Sequence, residues 1–165
     1  MTELSFPIGG YRLRTATDDD KSFFIESMKE GILLSVPEEE ERHSDLWMND
    51  ILSITSITME GGMMRSELFI LENSAEERSG MLWMGISKDQ FTCEDTGYLL
   101  GIFVNKELRN KGFAKALIGC AEDWCKGHDL LSMTLNVGSH NSSAKAVYHR
   151  TGFEPRSAVM RKRLR

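Results

Sequence analysis

Cysteine is scarce in this sequence, and the three that occur form no recognisable pattern. Cys93, Cys120 and Cys125 are odd in number, include no Cys-x-x-Cys pair and match no zinc spacing with the four histidines. Disulfide-stapled proteins use a denser and even set of cysteines, and structural zinc sites need closely spaced ligand pairs. The sequence therefore predicts neither a disulfide framework nor a structural metal, and we expect no metal in the functional site.

An excess of positive charge and long apolar runs are both missing. Lysine and arginine total 20 against 25 acidic residues, which gives a net charge of −5. Nucleic-acid-binding proteins need a broad cationic surface, so we expect no nucleic acid partner, and a small cationic or polar partner fits better. No apolar run approaches the roughly 20 residues that span a bilayer, and residues 1–10 lack the regions of a signal peptide. We therefore expect a cytoplasmic protein without membrane association.

What the sequence does contain is enough apolar material for one core. Of its 165 residues, 41% are hydrophobic, and no internal repeat or low-complexity linker divides the chain. Two independent domains would be cramped at this length. We therefore predict a single domain over residues 1–165.

Hydrophobic periodicity predicts both helices and strands along the chain. Strands are predicted at 10–14, 68–71, 81–86, 98–104, 131–137 and 159–164. Helices are predicted from the capping residues 17–20 to Gly31, from 38 to the glycines at 61–62, at 112–126 and at 142–151. Because residues 98–104 are apolar on both faces, we expect them at the centre of the sheet. This order of elements describes a mixed α/β fold.

The turn between strand 98–104 and the next helix has the chemistry of an anion site. A strand that runs into a tight turn and a helix leaves backbone N–H groups directed at one point, with the positive end of the helix dipole behind them. Gly112 and Ala114 let phosphate oxygens approach the main chain, and Arg109 and Lys111 add positive charge. The segment has neither a P-loop motif nor a GxGxxG motif. A pyrophosphate fits this turn, and a solvated basic turn before an ordinary helix is the alternative.

A second motif follows strand 131–137. Residues 141–153 contain the pattern NxxAxxxYxxxGF, which is formed by Asn141, Ala144, Tyr148, Gly152 and Phe153. The earlier turn contains the pattern (Q/R)xxGx(G/A), which is formed by Arg109, Gly112 and Ala114. Together these segments resemble the two signatures of the GCN5-related N-acetyltransferase (GNAT) family. The resemblance is strongest from 98 to 153, and the order of elements before it also suits the family.

The resemblance implies the fold and the reaction. It implies a mixed, mostly antiparallel sheet of about six or seven strands with helices on both faces and splayed central strands. Acetyl-CoA would be the co-substrate, without a metal. The acetyl group would pass, in a ternary complex, to a primary amine of a small molecule or of a peptide or protein N-terminus. A monomer and a homodimer both fit the sequence.

The resemblance also assigns residues. The main chain of Ile102 and Val104 would hydrogen-bond the pantetheine arm, residues 109–114 would hold the pyrophosphate, and Asn141 would contact the pantetheine or diphosphate region. The full cofactor-binding set that it implies is Ile102, Phe103, Val104, Arg109, Asn110, Lys111, Gly112, Phe113, Ala114, Asn141, Ala144 and Tyr148. Tyr148 would be catalytic, because a phenol beside the sulfur can donate a proton to the leaving CoA thiolate. The alternative for Tyr148 is an aromatic side chain that packs on the core.

The sequence departs from the family pattern at the general base. In the ribosomal-protein alanine acetyltransferase branch, this base is a glutamate on the strand before the second signature. The corresponding residue here is Asn136, whose amide cannot take up a proton at neutral pH. His140, Glu72, Glu94 and Asp95 are other candidates, and each also fits an exposed loop position. Acceptor recognition is implied at about 31–43 and 153–158.

Three other functions remain open at this point. O-acetylation, or the use of a longer acyl-CoA, is a second enzymatic interpretation. A non-catalytic CoA-sensing module is supported by the missing glutamate and disfavoured by Tyr148. An RNA- or DNA-binding module has only the basic residues 161–165 in its favour.

Overall fold

The computed structural model describes residues 4–37 and 65–164. In chain order the elements are β1 (Tyr11–Thr15), α1 (Lys21–Leu33), β2 (Ser66–Asn73), β3 (Arg78–Lys88), β4 (Asp95–Val104), α2 (Phe113–Gly127), β5 (Met133–Leu135) and α3 (Ser142–Arg150). Short 3-10 helices at Asp18–Asp20 and Lys106–Leu108 precede α1 and the turn before α2. The helix predicted at 38–60 lies outside the described residues.

The strands form one sheet in the order β1-β2-β3-β4-β5. Neighbours from β1 to β4 are antiparallel, whereas β5 is parallel to β4. The prediction of a mixed, mostly antiparallel sheet is therefore confirmed. Residues 98–104 lie within β4, an interior strand that pairs with β3 on one side and β5 on the other; among the described strands β3 is the middle one. The apolar character of β4 reflects α1 and α2, which cover opposite faces of the sheet.

Two hydrophobic clusters cover the two faces of the sheet. On one face α1 packs against β3, and the rings of Phe24 and Trp83 meet edge to face at 5.2 Å. On the other face α2 buries Leu117 and Trp124 against β2, β3 and β4. The Trp124 indole N–H donates to Glu67 Oε2 at 2.9 Å, so its polar atom is satisfied within the core. The predicted arrangement of helices on both faces is confirmed.

Two strand predictions differ from the structure at the far edge of the sheet. The strand predicted at 131–137 is shortened to Met133–Leu135, and Leu131 is 96% exposed. Residues 159–164 form no strand, and the side chains of Val159 and Met160 are fully exposed. Alternation over 131–137 predicts a longer strand than the structure has, because β5 pairs with β4 only from Met133 to Leu135. The described residues therefore contain five strands rather than the expected six or seven.

A buried ion cluster attaches the start of α1 to the sheet. Asp20 is 1% exposed and accepts hydrogen bonds from Arg14 at 2.7 and 3.0 Å and from Arg78 at 2.6 Å. The hydrogen bond from Arg14 holds the pKa of Asp20 well below its usual range. The cluster fixes the position of α1 relative to β1 and β3. None of the helices in the described part of the chain is long and apolar enough to cross a bilayer.

Candidate active site

The strands β4 and β5 separate at a fork. Their pairing covers only Gly97–Met133, Tyr98–Thr134 and Leu99–Leu135, whereas β4 continues to Val104 along β3. At the same point the register of β4 shifts against β3, with Leu100 as the extra residue. We call the point after Leu99 and Leu135 the fork. Beyond it β4 pairs with β3 on one edge, and no strand of residues 4–37 or 65–164 pairs with its other edge, which we call the open edge.

The open edge of β4 presents main-chain groups at alternate residues. Asn105 N–H donates to Ser79 O at 2.9 Å, so Asn105 directs its main chain towards β3. Because successive residues of an antiparallel strand point their N–H and C=O groups to opposite sides, Ile102 and Val104 direct theirs to the open edge. Val104 O accepts a hydrogen bond from Arg109 Nε at 3.0 Å on that side. An extended chain could add here in the manner of a further strand.

The turn that follows β4 requires glycine at the start of α2. Gly112 is the N-terminal capping residue of α2 and has φ +87°, and Asn110 has φ +60°. A Cβ on Gly112 would meet no atom within 4 Å. A residue without a side chain leaves the first N–H groups of the helix open to an external acceptor. The geometry of the turn is therefore compatible with the predicted anion site.

The side chains of Arg109 and Phe113 point away from the open space at the start of α2. Arg109 Nη2 donates to Glu30 Oε1 of α1 at 2.7 Å, and its guanidinium lies 5.6 Å from the ring centre of Phe103. The ring of Phe113 is buried and meets Tyr11 at 4.8 Å, so Phe113 can contribute only main-chain groups. Ala114 also packs on the core. Lys111 is exposed and carries the positive charge of the turn.

Tyr148 combines a packing role with a hydroxyl group. It lies on α3, packs against the cluster under α2, and meets Phe153 edge to face at 5.6 Å. Burial raises the pKa of the Tyr148 phenol. The hydroxyl therefore stays protonated through neutral pH and can act as a donor. The predicted packing is present, and it does not compete with a catalytic role because it uses the ring rather than the oxygen.

The loop before α3 is attached to the end of α1. Asn141 Oδ1 accepts from Ala144 N–H at 3.2 Å, and Asn141 Nδ2 donates to Ser35 Oγ at 3.4 Å. The His140 ring nitrogen Nε2 lies 2.6 Å from Ser35 O. A Cβ on Gly138 would lie 2.5 Å from the same oxygen, so the two segments approach closely. The predicted pair Asn141 and Ala144 therefore stabilises the start of α3.

The candidate general bases do not converge on the fork. Glu72 is buried two strands away, where it accepts hydrogen bonds from Arg14 at 2.6 Å and from Arg12. Burial raises the pKa of Glu72, but the hydrogen bonds from the two arginines outweigh it and hold the pKa below its usual value. Such a carboxylate is a poor base, so Glu72 is excluded on position and chemistry.

The two remaining carboxylates and the histidine are also engaged or distant. Asp95 begins β4 and pairs with Lys88 at 2.7 Å, about 13 Å along the strand from the fork. Glu94 is exposed in the loop before it. His140 makes its hydrogen bond to the end of α1. The fork therefore has no carboxylate among these candidates.

The predicted acceptor segment after α3 is attached to the β3–β4 loop. Arg156 forms an ion pair with Asp89 and lies 4.8 Å from the ring centre of Phe91. Asp89 Oδ1 also accepts from the main-chain N–H groups of Phe91 and Thr92, at 2.9 and 3.0 Å. The hydrogen bond from Arg156 is the main reason that the pKa of Asp89 lies well below its usual range. Sequence reasoning missed this contact.

Tyr98 is the residue at the fork that sequence reasoning missed. Its hydroxyl accepts a hydrogen bond from Asn136 Nδ2 at 2.6 Å, across the fork. Burial raises the pKa of the Tyr98 phenol. A single hydroxyl group within the apolar run 98–104 was the available signal, but its partner lies 38 residues away in the sequence.

Comparison with known proteins agrees with this geometry. A model of the Acetyltransferase (GNAT) family matches residues 34–153. The uncharacterised N-acetyltransferase YycN of Bacillus subtilis (strain 168) is 27% identical over 97 residues, which is 59% of this chain. The match spans 61% of that relative, which is less than two thirds of its length.

Two solved structures share the fold over nearly the whole chain. A Pyrococcus furiosus protein assigned as an acetyl transferase is 25% identical with a TM-score of 0.70, covering 93% of this chain and 99% of its own. AAC(6')-Iy, solved with the bisubstrate analogue CoA-S-monomethyl-acetylneamine, is 20% identical with a TM-score of 0.60, covering 94% and 98%. The second likeness is one of fold alone. The family match covers both signatures, the open edge of β4 and the turn before α2, and the chain belongs to the GNAT family of N-acetyltransferases.

Proposed function

We propose that this protein transfers the acetyl group of acetyl-CoA to a primary amine of a small molecule or of a peptide N-terminus. The observation that carries the proposal is the open edge of β4, which leads from the glycine turn at one end to the fork at the other. A linear co-substrate with a diphosphate at one end and a thioester at the other matches that layout.

In this arrangement the pantetheine arm lies along the open edge. Its amides would pair with the main chain of Ile102 and Val104, as an added strand would. The diphosphate would lie at the start of α2, where the helix dipole and Lys111 stabilise negative charge. The thioester would then reach the fork. Arg109 supports the site indirectly, because it holds the carbonyl of Val104 and the end of β4.

The reaction needs one proton donor for the leaving group. The neutral amine attacks the thioester carbon, a C–N bond forms, and the carbonyl oxygen carries the charge of the tetrahedral intermediate. When the C–S bond breaks, the thiolate takes the proton of the Tyr148 hydroxyl and leaves as CoA thiol. The nitrogen loses its extra proton to water, and a proton from water restores Tyr148. The raised pKa keeps the phenol protonated before each turnover.

The absence of a glutamate at position 136 affects how the acceptor amine loses its proton. Because Asn136 occupies the position of the base in one branch of the family, the amine must bind in its neutral form or lose its proton through ordered water. The acceptor class stays broad. AAC(6')-Iy was solved with an acetylneamine analogue, which makes neamine a reasonable first acceptor.

The test is turnover with a defined panel of amines. The purified protein is incubated with acetyl-CoA and with neamine, glucosamine or a short peptide with a free N-terminus, and both released thiol and acetylated amine are measured. We expect equal amounts of the two products with at least one amine, and a strongly reduced amount with Tyr148→Phe. Thiol release at the enzyme-free rate with every amine would contradict the proposal.

The second candidate is a CoA-binding module without catalysis. Asn136 in place of the glutamate is the observation that favours it. The two functions differ in one result, since a binding module would retain CoA in calorimetry while releasing no thiol with any amine.

A further inference from the structure

Tyr98 and Asn136 form a bridge across the fork. Tyr98 is paired in register with Thr134 of β5, and Asn136 is the residue directly after that strand. The Asn136 Nδ2 to Tyr98 Oη distance of 2.6 Å closes the bridge where main-chain pairing has ended. The bridge therefore lies at the end of the open edge.

The direction of this hydrogen bond decides which atoms remain available. The Asn136 amide donates, so its nitrogen is directed at Tyr98 and the plane of the amide is fixed. Its Oδ1, which can only accept, lies in the same plane on the other side of Cγ. Asn136 is exposed, so Oδ1 is accessible to a ligand.

The bridge and Tyr148 belong to opposite faces of the sheet. A Cβ on Gly97 would lie 2.3 Å from Cys125 Sγ of α2, so Gly97 faces α2. The next residue, Tyr98, points to the other face, the one that α1 covers. Tyr148 packs into the cluster under α2. A nucleophile that adds to one face of the planar thioester carbonyl from the α1 side, and a proton donor that reaches the sulfur from the α2 side, suit an addition followed by loss of the thiolate.

We propose that Asn136 Oδ1 accepts a hydrogen bond from an N–H of the acceptor amine, and that Tyr98 is the positioning residue that fixes the amide for this contact. The inference rests on the proposed function, since it requires a thioester at the fork. One N–H bound to a fixed oxygen sets the direction of the nitrogen lone pair. Near-attack geometry of this kind is a large part of the advantage of a bound reactant.

The experiment separates acceptor binding from cofactor binding. Tyr98→Phe keeps the ring and removes the oxygen, and Tyr11→Phe makes the same change at the start of β1 as a control. With the best amine of the panel, we expect Tyr98→Phe to lower kcat/KM for the amine by about tenfold, as expected for one lost hydrogen bond. The KM for acetyl-CoA and the Kd for CoA should stay within about twofold of wild type.

Two further variants test the coupling between the residues. Asn136→Ala removes the proposed contact with the amine. The double variant Tyr98→Phe/Asn136→Ala should have the same kcat/KM as Asn136→Ala alone, because either change removes the function of the same hydrogen-bonded pair. Asn136→Asp introduces a titratable group, and we expect a new inflection in the pH profile of kcat/KM. Adding Tyr98→Phe should raise the pH of that inflection, because the phenol no longer donates to the carboxylate.

The outcomes distinguish this inference from the proposed function. If wild type turns over the amine and Tyr98→Phe has the same kcat/KM as Tyr11→Phe, the inference is overturned while the proposed function stands. Additive losses in the double variant, or an equal loss of CoA affinity, would also overturn it. Absence of turnover by wild type with every amine would contradict the proposed function and the inference with it.

Discussion

Arg109 Nη2 donates a hydrogen bond to Glu30 Oε1 at 2.7 Å, which ties the turn before α2 to α1 on the other side of the sheet. Lys106 Nζ lies 3.8 Å from the same carboxylate oxygen. The charge of Arg109 is therefore partly offset within the protein. Lys111, which is exposed in the turn, is the cation that a diphosphate would meet first.

The first prediction concerns the salt dependence of CoA binding. Lys111→Gln should weaken CoA binding several-fold at low ionic strength and flatten its salt dependence, because an exposed charge is screened by salt. Lys126→Gln, at the other end of α2 where the lysine pairs with Asp123, is the matched control. Calorimetry at two salt concentrations gives the result. Equal salt dependence in wild type and Lys111→Gln would remove Lys111 from the site.

The second prediction concerns Gly112. Gly112→Val should lower the affinity for CoA by about tenfold or more, equivalent to about 1.4 kcal/mol, because the side chain enters the open space at the start of α2. Gly10→Val is the control, since Gly10 has φ +81° and also has no atom within 4 Å of its Cβ position. Both variants carry similar backbone strain. If the two lose CoA affinity equally while remaining folded by circular dichroism, the diphosphate does not lie on this turn.

The third prediction concerns Tyr148. Tyr148→Phe should lower kcat by about 100-fold or more while CoA affinity stays nearly unchanged, since the ring still packs and only the proton donor is lost. Because burial raises the phenol pKa, kcat of wild type should show no loss from Tyr148 ionisation until the pH exceeds the usual tyrosine value of about 10. Steady-state kinetics across that range provides the measurement. A kcat within about twofold of wild type would leave Tyr148 a packing residue.

The fourth prediction follows from the missing base. An alkyl amine with a pKa near 10 is only about a thousandth neutral at pH 7, so log kcat/KM should rise with pH towards the pKa of the free amine. With an acceptor amine of lower pKa, the rise of log kcat/KM should move to lower pH by the difference between the two amine pKa values. A common inflection near neutrality for both acceptors, lost on changing His140, would reveal a base within the protein.

The local chemistry of the site was predictable from the sequence, and the long-range contacts were not. Gly112 and Asn141 belong to chain-local patterns, and the structure places both at helix starts, as predicted. The ion pair between Arg109 and Glu30 joins residues 79 positions apart, and no periodicity reports such a contact. The sequence analysis therefore assigned the charge of Arg109 to a phosphate, whereas in the structure Glu30 partly neutralises that charge.

Strand bounds were predicted less accurately than helix bounds, also because strands depend on long-range contacts. Helical segments form from local spacing and were predicted within a few residues, as for α2 at Phe113–Gly127. A strand depends on its neighbour, and the alternation over 131–137 continues after β4 has turned away at the fork. The bulge at Leu100 has no sequence signature of its own. Tyr98 was missed because its contact with Asn136 depends on that divergence.

The most direct test of the account is amide hydrogen exchange along β4, measured by NMR with and without CoA. In the free protein, Ile102 and Val104 N–H point to the open edge, whereas Phe103 N–H points to β3. We predict that CoA slows exchange at Ile102 and Val104 and leaves Phe103, already protected by β3, nearly unchanged. Unchanged exchange at Ile102 and Val104 in a protein saturated with CoA would contradict the binding of the pantetheine arm on this edge.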